Sequence, residues 1–130
     1  MIKHSGLHAD LTEKIIGAYY KVYNTLGTGF LEKIYREAML IELGKLNLAV
    51  QKDFPISVMY EGHNIGNFFA DIVVNNKVIL ELKAVASLHP AHEAQLGNYL
   101  RATPIELGLL LNFGDKSAIK RMIFTNDRKK

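Results

Sequence analysis

The sequence contains no cysteine. Disulfides and cysteine-ligated zinc are therefore excluded, and the chain suits a reducing cytosol. No apolar run approaches the roughly 20 residues that a membrane-crossing helix needs, so no membrane partner is expected. The first residues lack the uninterrupted apolar core of a signal peptide. Charge of one sign is scarce as well: the net charge is +3, which permits an anionic partner without announcing one. The glycines form no phosphate loop, because Gly27-Thr28-Gly29 follows a helical pattern and lacks the lysine of GxxxxGK(S/T). His89 and His92 do not stand in a zinc-protease spacing, and no Ser–His–Asp or Cys–His set is visible. No repeat, low-complexity tract or linker divides the chain. Its 130 residues read as one domain with a core over about 10–124.

What is present is a series of clear periodic segments. Helical spacing runs through Leu11, Ile15, Ala18, Tyr19, Val22 and Leu26, with Asp10 as the expected N-cap and Glu13 completing a capping box. Gly27-Thr28-Gly29 ends that helix. A second helix is expected over 30–46, with Leu31, Ile34, Tyr35, Ala38, Ile41 and Leu43 as its apolar stripe. Residues 50–60 alternate loosely and read as a strand, with Pro55 favouring an edge position or a bulge. After a turn at 61–64, two strands are expected over 65–74 and 77–84. His89-Pro90 opens a third helix running to about 102. IELGLLLNF, 105–113, reads as a buried strand, and IKRMIF, 119–124, as a short edge strand. Residues 1–6 and 126–130 read as a loose leader and tail. The order α-α-β-β-β-α-β-β, with a meander, a crossover helix and a further strand, predicts an α/β layered domain with a mixed sheet.

The chemistry concentrates in 68–85, FFADIVVNNKVILELKAV. Asp71 lies in the first of its two strands, and Glu81 and Lys83 lie in the second. Alternate strand positions share a face, so Glu81 and Lys83 point the same way. So apolar a strand is expected to be buried on both sides. A carboxylate and an ammonium there are costly unless paired, hydrogen-bonded or bound to a metal. A structural Glu–Lys pair would account for the triplet taken alone. The spacing D-x9-E-x-K nevertheless resembles the PD-(D/E)XK nuclease motif, with Ala70-Asp71 where that family often has Pro-Asp.

Other segments extend the resemblance over nearly the whole chain. Gly29-Phe30-Leu31-Glu32-Lys33-Ile34-Tyr35-Arg36 is similar to the signature of the GxxExxxR (or GxxExxxY) proteins, small prokaryotic members of that superfamily. Gln51, Tyr60-Glu61-Gly62, Asp71 and Glu81-Leu82-Lys83-Ala84 follow in order. The QxxxY motif Gln95 to Tyr99 and Leu110-Leu111-Asn112-Phe113-Gly114 complete the set. The resemblance implies a restriction-endonuclease-like core, a central mixed sheet flanked by helices, and a metal-dependent phosphodiesterase acting on nucleic acid, DNA in the first instance. It implies that Asp71, Glu81 and a third acid, Glu32, hold Mg²⁺ or Mn²⁺, with the Leu82 carbonyl as a further ligand. Such hard oxygen donors suit those cations. Lys83 would position the attacking water, and Gln95 and Tyr99, which share a helix face, would lie over the site. Arg36 would either hold Glu32 or touch a phosphate, and His92 would be a substrate contact. The rival readings are a non-catalytic binding or assembly module on the same fold and a phosphohydrolase of small nucleotides. A chain of this size would engage duplex DNA as a homodimer or with a protein partner.

One geometric condition is independent of the family. A two-residue loop at Asn75-Asn76, which a primed turn favours, sets Asp71 opposite Leu80. Asp71 would then face away from Glu81 and Lys83. A three-residue loop, 74–76, or a bulge restores a common face. The expectation is an odd-length loop or such a bulge.

Overall fold

The computed structural model describes residues 6–129. Helix α1, Ala9–Leu26, and helix α2, Glu32–Lys45, precede strands β1, Val50–Tyr60, β2, His63–Val74, and β3, Val78–Lys83. Helix α3, Pro90–Arg101, then crosses to β4, Leu107–Asn112, and β5, Ala118–Ile123, closes the sheet. A single 3-10 turn, Asn126–Arg128, follows. The strand order is β1-β2-β3-β4-β5. All neighbours are antiparallel except β3 and β4, whose parallel pairing requires the α3 crossover. The expected mixed-sheet α/β architecture and element order are therefore present. Apart from Gly6, the leader lies outside the described residues. Among the described residues no helix is long and apolar enough to cross a membrane.

Two cores clothe the sheet. On one face Tyr19, Tyr35, Met39 and Leu43 of α1 and α2 pack on Ile72, Leu80, Leu82, Leu109, Leu111 and Phe113. On the other, Leu96, Tyr99 and Leu100 of α3 pack on Ile56, Val73, Ile79 and Leu110. Both β3 and β4 are thus covered on each side, which is why they read as unbroken apolar runs. The edges are β1, which carries Pro55, and β5.

Several local expectations are corrected. The N-cap of α1 is His8, in a left-handed conformation with no side-chain bond, and Asp10 lies inside the first turn, where its charge suits the helix dipole. The buried stripe of α2 is Tyr35, Met39 and Leu43; Leu31, Ile34 and Ile41 are exposed. The Tyr35 hydroxyl explains the rotation. It donates to Gly27 O at 2.6 Å, and its ring stacks on Phe113 at 4.6 Å, turning Ile34 and Ile41 outward. The β1–β2 turn is the two residues Glu61 and Gly62, both with positive φ, so β2 starts at His63.

The loop between β2 and β3 meets the geometric condition in its own way. Asn75 and Asn76 both adopt positive φ, 53° and 55°, and Lys77 N–H donates to Val74 O at 2.9 Å, as in a primed turn. Pairing nevertheless resumes at Val78, not Lys77: Val74 faces Val78, Val73 faces Ile79 and Ile72 faces Leu80. The loop is therefore 75–77, odd in length but one residue later than 74–76. Asn75 fixes it to the chain entering β1 by accepting from Ala49 N at 2.8 Å and donating its own N–H to Ala49 O at 2.7 Å. Continued in this register, Asp71 falls opposite Glu81.

The end of β3 is held by the segment after β4. Phe113 N–H donates to Lys83 O at 2.7 Å. The buried Asn112 amide accepts from Val85 N at 3.0 Å and Gly114 N at 3.1 Å, and donates to Val85 O at 2.9 Å. A methyl group at Gly114 would sit 1.7 Å from Val85 O, an approach between two backbones that only glycine allows. At Gly108 an added methyl meets the Leu96 side chain at 2.7 Å, which can shift. Gly114→Ala is expected to destabilise by about 1–3 kcal/mol or more, the scale of overpacking, and by more than Gly108→Ala. Urea unfolding of the two variants checks this, and an equal or smaller loss for Gly114→Ala contradicts it.

Candidate active site

The main-chain pairing of β2 with β3 stops at Ile72–Leu80, although both strands continue. Beyond it the two carboxylates bridge the strands. Glu81 Oε2 accepts from Asp71 N–H at 2.8 Å, and Asp71 Oδ2 accepts from Leu82 N–H at 2.8 Å. The side-chain alternation of β2 also breaks here. Ala70 packs on the α3 side with Val73, while Ile72 packs on the opposite side. Opposite Asp71 on β1, Asp53 takes a positive φ of 52°, and the ladder skips that pair. Sheet strands thus open into a fork, and Asp71 and Glu81 fill it.

The fork is poor in countercharge. Glu81 is 4% exposed. Burial first, and then the charge of Asp71, push its carboxyl up to about 8. Burial also raises Asp71, partly offset by its bond from Leu82. Among the described residues neither carboxylate forms an ion pair, and each keeps one oxygen with no protein hydrogen-bond partner.

Around this pair stand most of the residues singled out by the sequence. Lys83 shares the α3 side with Glu81, and its Nζ donates to Gln95 Oε1 at 3.5 Å. Tyr99, one helical turn further along α3, has its hydroxyl raised by burial and then by the charges of Glu81 and Asp71. Glu32 opens α2 in the opposite layer, and burial followed by the Asp71 charge raises its carboxyl. Glu32 lies within electrostatic reach but does not complete a cluster: among the described residues no three His, Cys, Asp or Glu side chains converge as a ready metal cage. Three carboxylates gathered without a cation repel one another, which favours this looser arrangement.

Three residues have structural partners that the sequence did not indicate. Arg36 makes no ion pair with Glu32; its NH1 donates to Asp53 Oδ1 at 2.8 Å, and its buried Nε has no partner. His92 is committed to the α3 cap, its Nδ1 accepting from His89 N–H at 3.1 Å. His89, at the expected start of that helix, is its N-cap, and its Nδ1 accepts from Ala91 N–H at 3.0 Å. Asp53 escaped sequence reasoning. Its signal was an aspartate inside a strand, a position that residue disfavours. Two basic residues near the C-terminus serve the fold: Arg121 donates to Leu7 O at 2.8 Å and Lys129 to Thr103 O at 2.8 Å.

Comparison with known proteins agrees with this fold. A family profile described as PD-(D/E)XK nuclease superfamily matches residues 9–122. No curated protein sequence matches the chain. Among solved structures, the crystal structure of SSO0001 is similar with a TM-score of 0.55 at 20% identity; the match covers 89% of this chain and 58% of that one. An alkaline exonuclease (LHK-Exo) from Laribacter hongkongensis is similar with a TM-score of 0.52 at 12% identity, covering 98% of this chain and 73% of that one. At these identities the likeness is one of fold.

The raised Glu81 carboxyl predicts a pH-dependent stability. The folded state binds the Glu81 proton more tightly than the unfolded state. Stability present at low pH is therefore lost as pH climbs from the ordinary 4.5 through about 8. Without added metal, Glu81→Gln should melt several degrees above wild type at alkaline pH and close to it at acid pH. Thermal melts across that window check this; a difference independent of pH contradicts it.

Proposed function

The chain belongs to the PD-(D/E)XK nuclease superfamily, and on that premise we propose that it is a divalent-metal-dependent phosphodiesterase that cuts nucleic acid. We assign it to the GxxExxxR branch on the ordered motifs that begin with the octet at 29–36, and we read 1–130 as a single domain. The observation that carries the proposal is the pair of carboxylates in the β2–β3 fork, Glu81 buried and Asp71 half-buried, bonded to main-chain amides and unmatched by any ion pair among the described residues.

The donor set fits Mg²⁺ or Mn²⁺. Asp71 and Glu81 are hard oxygen donors with an uncommitted oxygen each, and a dication would offset the burial that now favours their protonation. Asp71 and Glu81 would hold the ion, with the Leu82 carbonyl alongside and Glu32 as an outer carboxylate. When bound, the ion lowers the pKa of a coordinated water and stabilises negative charge on the phosphate. Lys83, oriented by Gln95, positions the attacking water and meets the charge that grows on the phosphate. Arg36, held beside the fork by Asp53, contributes its guanidinium charge to the phosphate. Gln95 and Tyr99 form the wall of the site on the α3 side, and His92 holds that wall through the helix cap. DNA is the proposed substrate, engaged by a homodimer or with a protein partner when it is duplex.

Calorimetry with Mn²⁺ and cleavage of plasmid and oligonucleotide substrates test this reading. Asp71→Ala and Glu81→Ala should each abolish the Mn²⁺ signal in a folded protein. Lys83→Ala should keep Mn²⁺ affinity while cleavage falls about 10²-fold or more, as when a single transition-state contact is lost. Undiminished Mn²⁺ binding in both carboxylate variants removes the site as drawn. A wild type that binds no Mn²⁺ and cuts nothing is a non-catalytic binding or assembly module.

A further inference from the structure

Beside the carboxylates, the β1–β2 hairpin overhangs α3 and leaves a cleft of about 800 Å³, within the range of small-ligand sites. Its walls are apolar, with Val58, Met59 and Phe68 on the hairpin facing Ala91 and Ala94 on the helix. Met59 and Phe68 are 57% and 46% exposed, although they line a concavity. Large apolar groups left open in this way mark binding surfaces more often than bare surface.

The cleft is continuous with the fork. Gln95 lines it and also holds Lys83. Tyr99 lines it and feels the charges of Asp71 and Glu81, and its ring lies 6.1 Å from that of Phe68. Phe68 itself stands on β2 just three residues before Asp71. The cleft and the carboxylates therefore share Gln95 and Tyr99 as a common wall.

Its chemistry discriminates between the parts of a nucleotide. The two cations on its lining are already engaged. Arg101 lies over the Phe124 ring at 4.8 Å, and Lys129 donates to Thr103 O at 2.8 Å and Ile105 O at 2.7 Å. What remains is flat apolar wall and amides. The Asn98 side chain makes no hydrogen bond among the described residues, and Gln95 makes only the 3.5 Å contact to Lys83. Such a space suits a nucleobase, whose face stacks on a ring and whose edge meets amides, better than a phosphate.

We propose that the cleft receives an unpaired base of the nucleic-acid strand whose phosphodiester lies at Asp71 and Glu81, so that the strand is cut where it is single-stranded or unstacked. This rests on the phosphodiesterase reading above. A base stacked within a duplex cannot enter between the hairpin and α3, so duplex must open first.

The test uses a short single-stranded oligonucleotide with a terminal fluorescein and a duplex of the same sequence, both in Ca²⁺, read by fluorescence anisotropy. Wild type should bind the single strand more tightly than the duplex. Phe68→Ala removes the ring, and Ala94→Phe fills the cleft from a solvent-facing position; both are checked for folding by circular dichroism. Each should weaken single-strand binding by about tenfold, the scale of losing one base–aromatic stack, while the Mn²⁺ titration stays as in wild type. Three results overturn the proposal: equal binding of single strand and duplex, two folded variants that bind as wild type does, or a free mononucleotide bound as tightly as the strand. If Mn²⁺ binding and cleavage persist beside any of these, only the base cleft is lost. If wild type binds neither Mn²⁺ nor any strand, the phosphodiesterase reading fails first.

Discussion

Two carboxylates bonded to main-chain amides across an opened ladder are the constraint on which this structure turns. Where β2 and β3 part, the N–H groups of Asp71 and Leu82 lose the partners a regular sheet would give them. Glu81 and Asp71 supply replacements at 2.8 Å each. Buried amides must be satisfied, so the side chains stabilise the fork that the strands' divergence creates. The same bonds leave charge in a dry place. The result is a raised Glu81 carboxyl and a pair of acids that make no direct ion pair among the described residues. Perturbed acids of this kind gather at functional sites.

The rest of the molecule keeps the fork in place. Leu80 and Leu82 pack against one helical layer and Ile79 against the other, so β3 cannot rotate to relieve its acids. Asn112 and Gly114 clamp the chain leaving β3, and Tyr19 donates its hydroxyl to Asn112 O from α1. Tyr35 fastens the α1–α2 turn and stacks on Phe113, which sets where α2 begins and so where Glu32 stands. On β1, the left-handed Asp53 anchors Arg36 beside the same fork. Each of these contacts joins a different element to one locus, which explains why the recurring motifs lie far apart in the chain.

Much of this was legible in the residues alone. The element order, the mixed sheet, the doubly covered third strand and the odd-length loop follow from period, turn chemistry and the need for a common face. The loop shows the limit of such reading. Asn75-Asn76 does form a primed turn, yet Lys77 is left outside the ladder, and only the tie to Ala49 explains the shift. The α2 stripe misled because Ile34 and Ile41 are as apolar as Met39, and the choice among them belongs to the Tyr35 bonds. Local composition could not show that His89 and His92 cap α3, since two histidines three apart fit several roles. Asp53 stood out only as an aspartate inside a strand, because its partners are distant in sequence and its role is a matter of register.

The central claim is that the β2–β3 fork is a divalent-metal site made from its own two acids. Anomalous diffraction from a crystal soaked in Mn²⁺ tests it most directly. The account predicts a manganese peak bonded at about 2.1 Å, the bond length of small hard cations, to oxygens of both Asp71 and Glu81. A peak elsewhere, or no peak with both carboxylates still confined to the amides of Asp71 and Leu82, would contradict it.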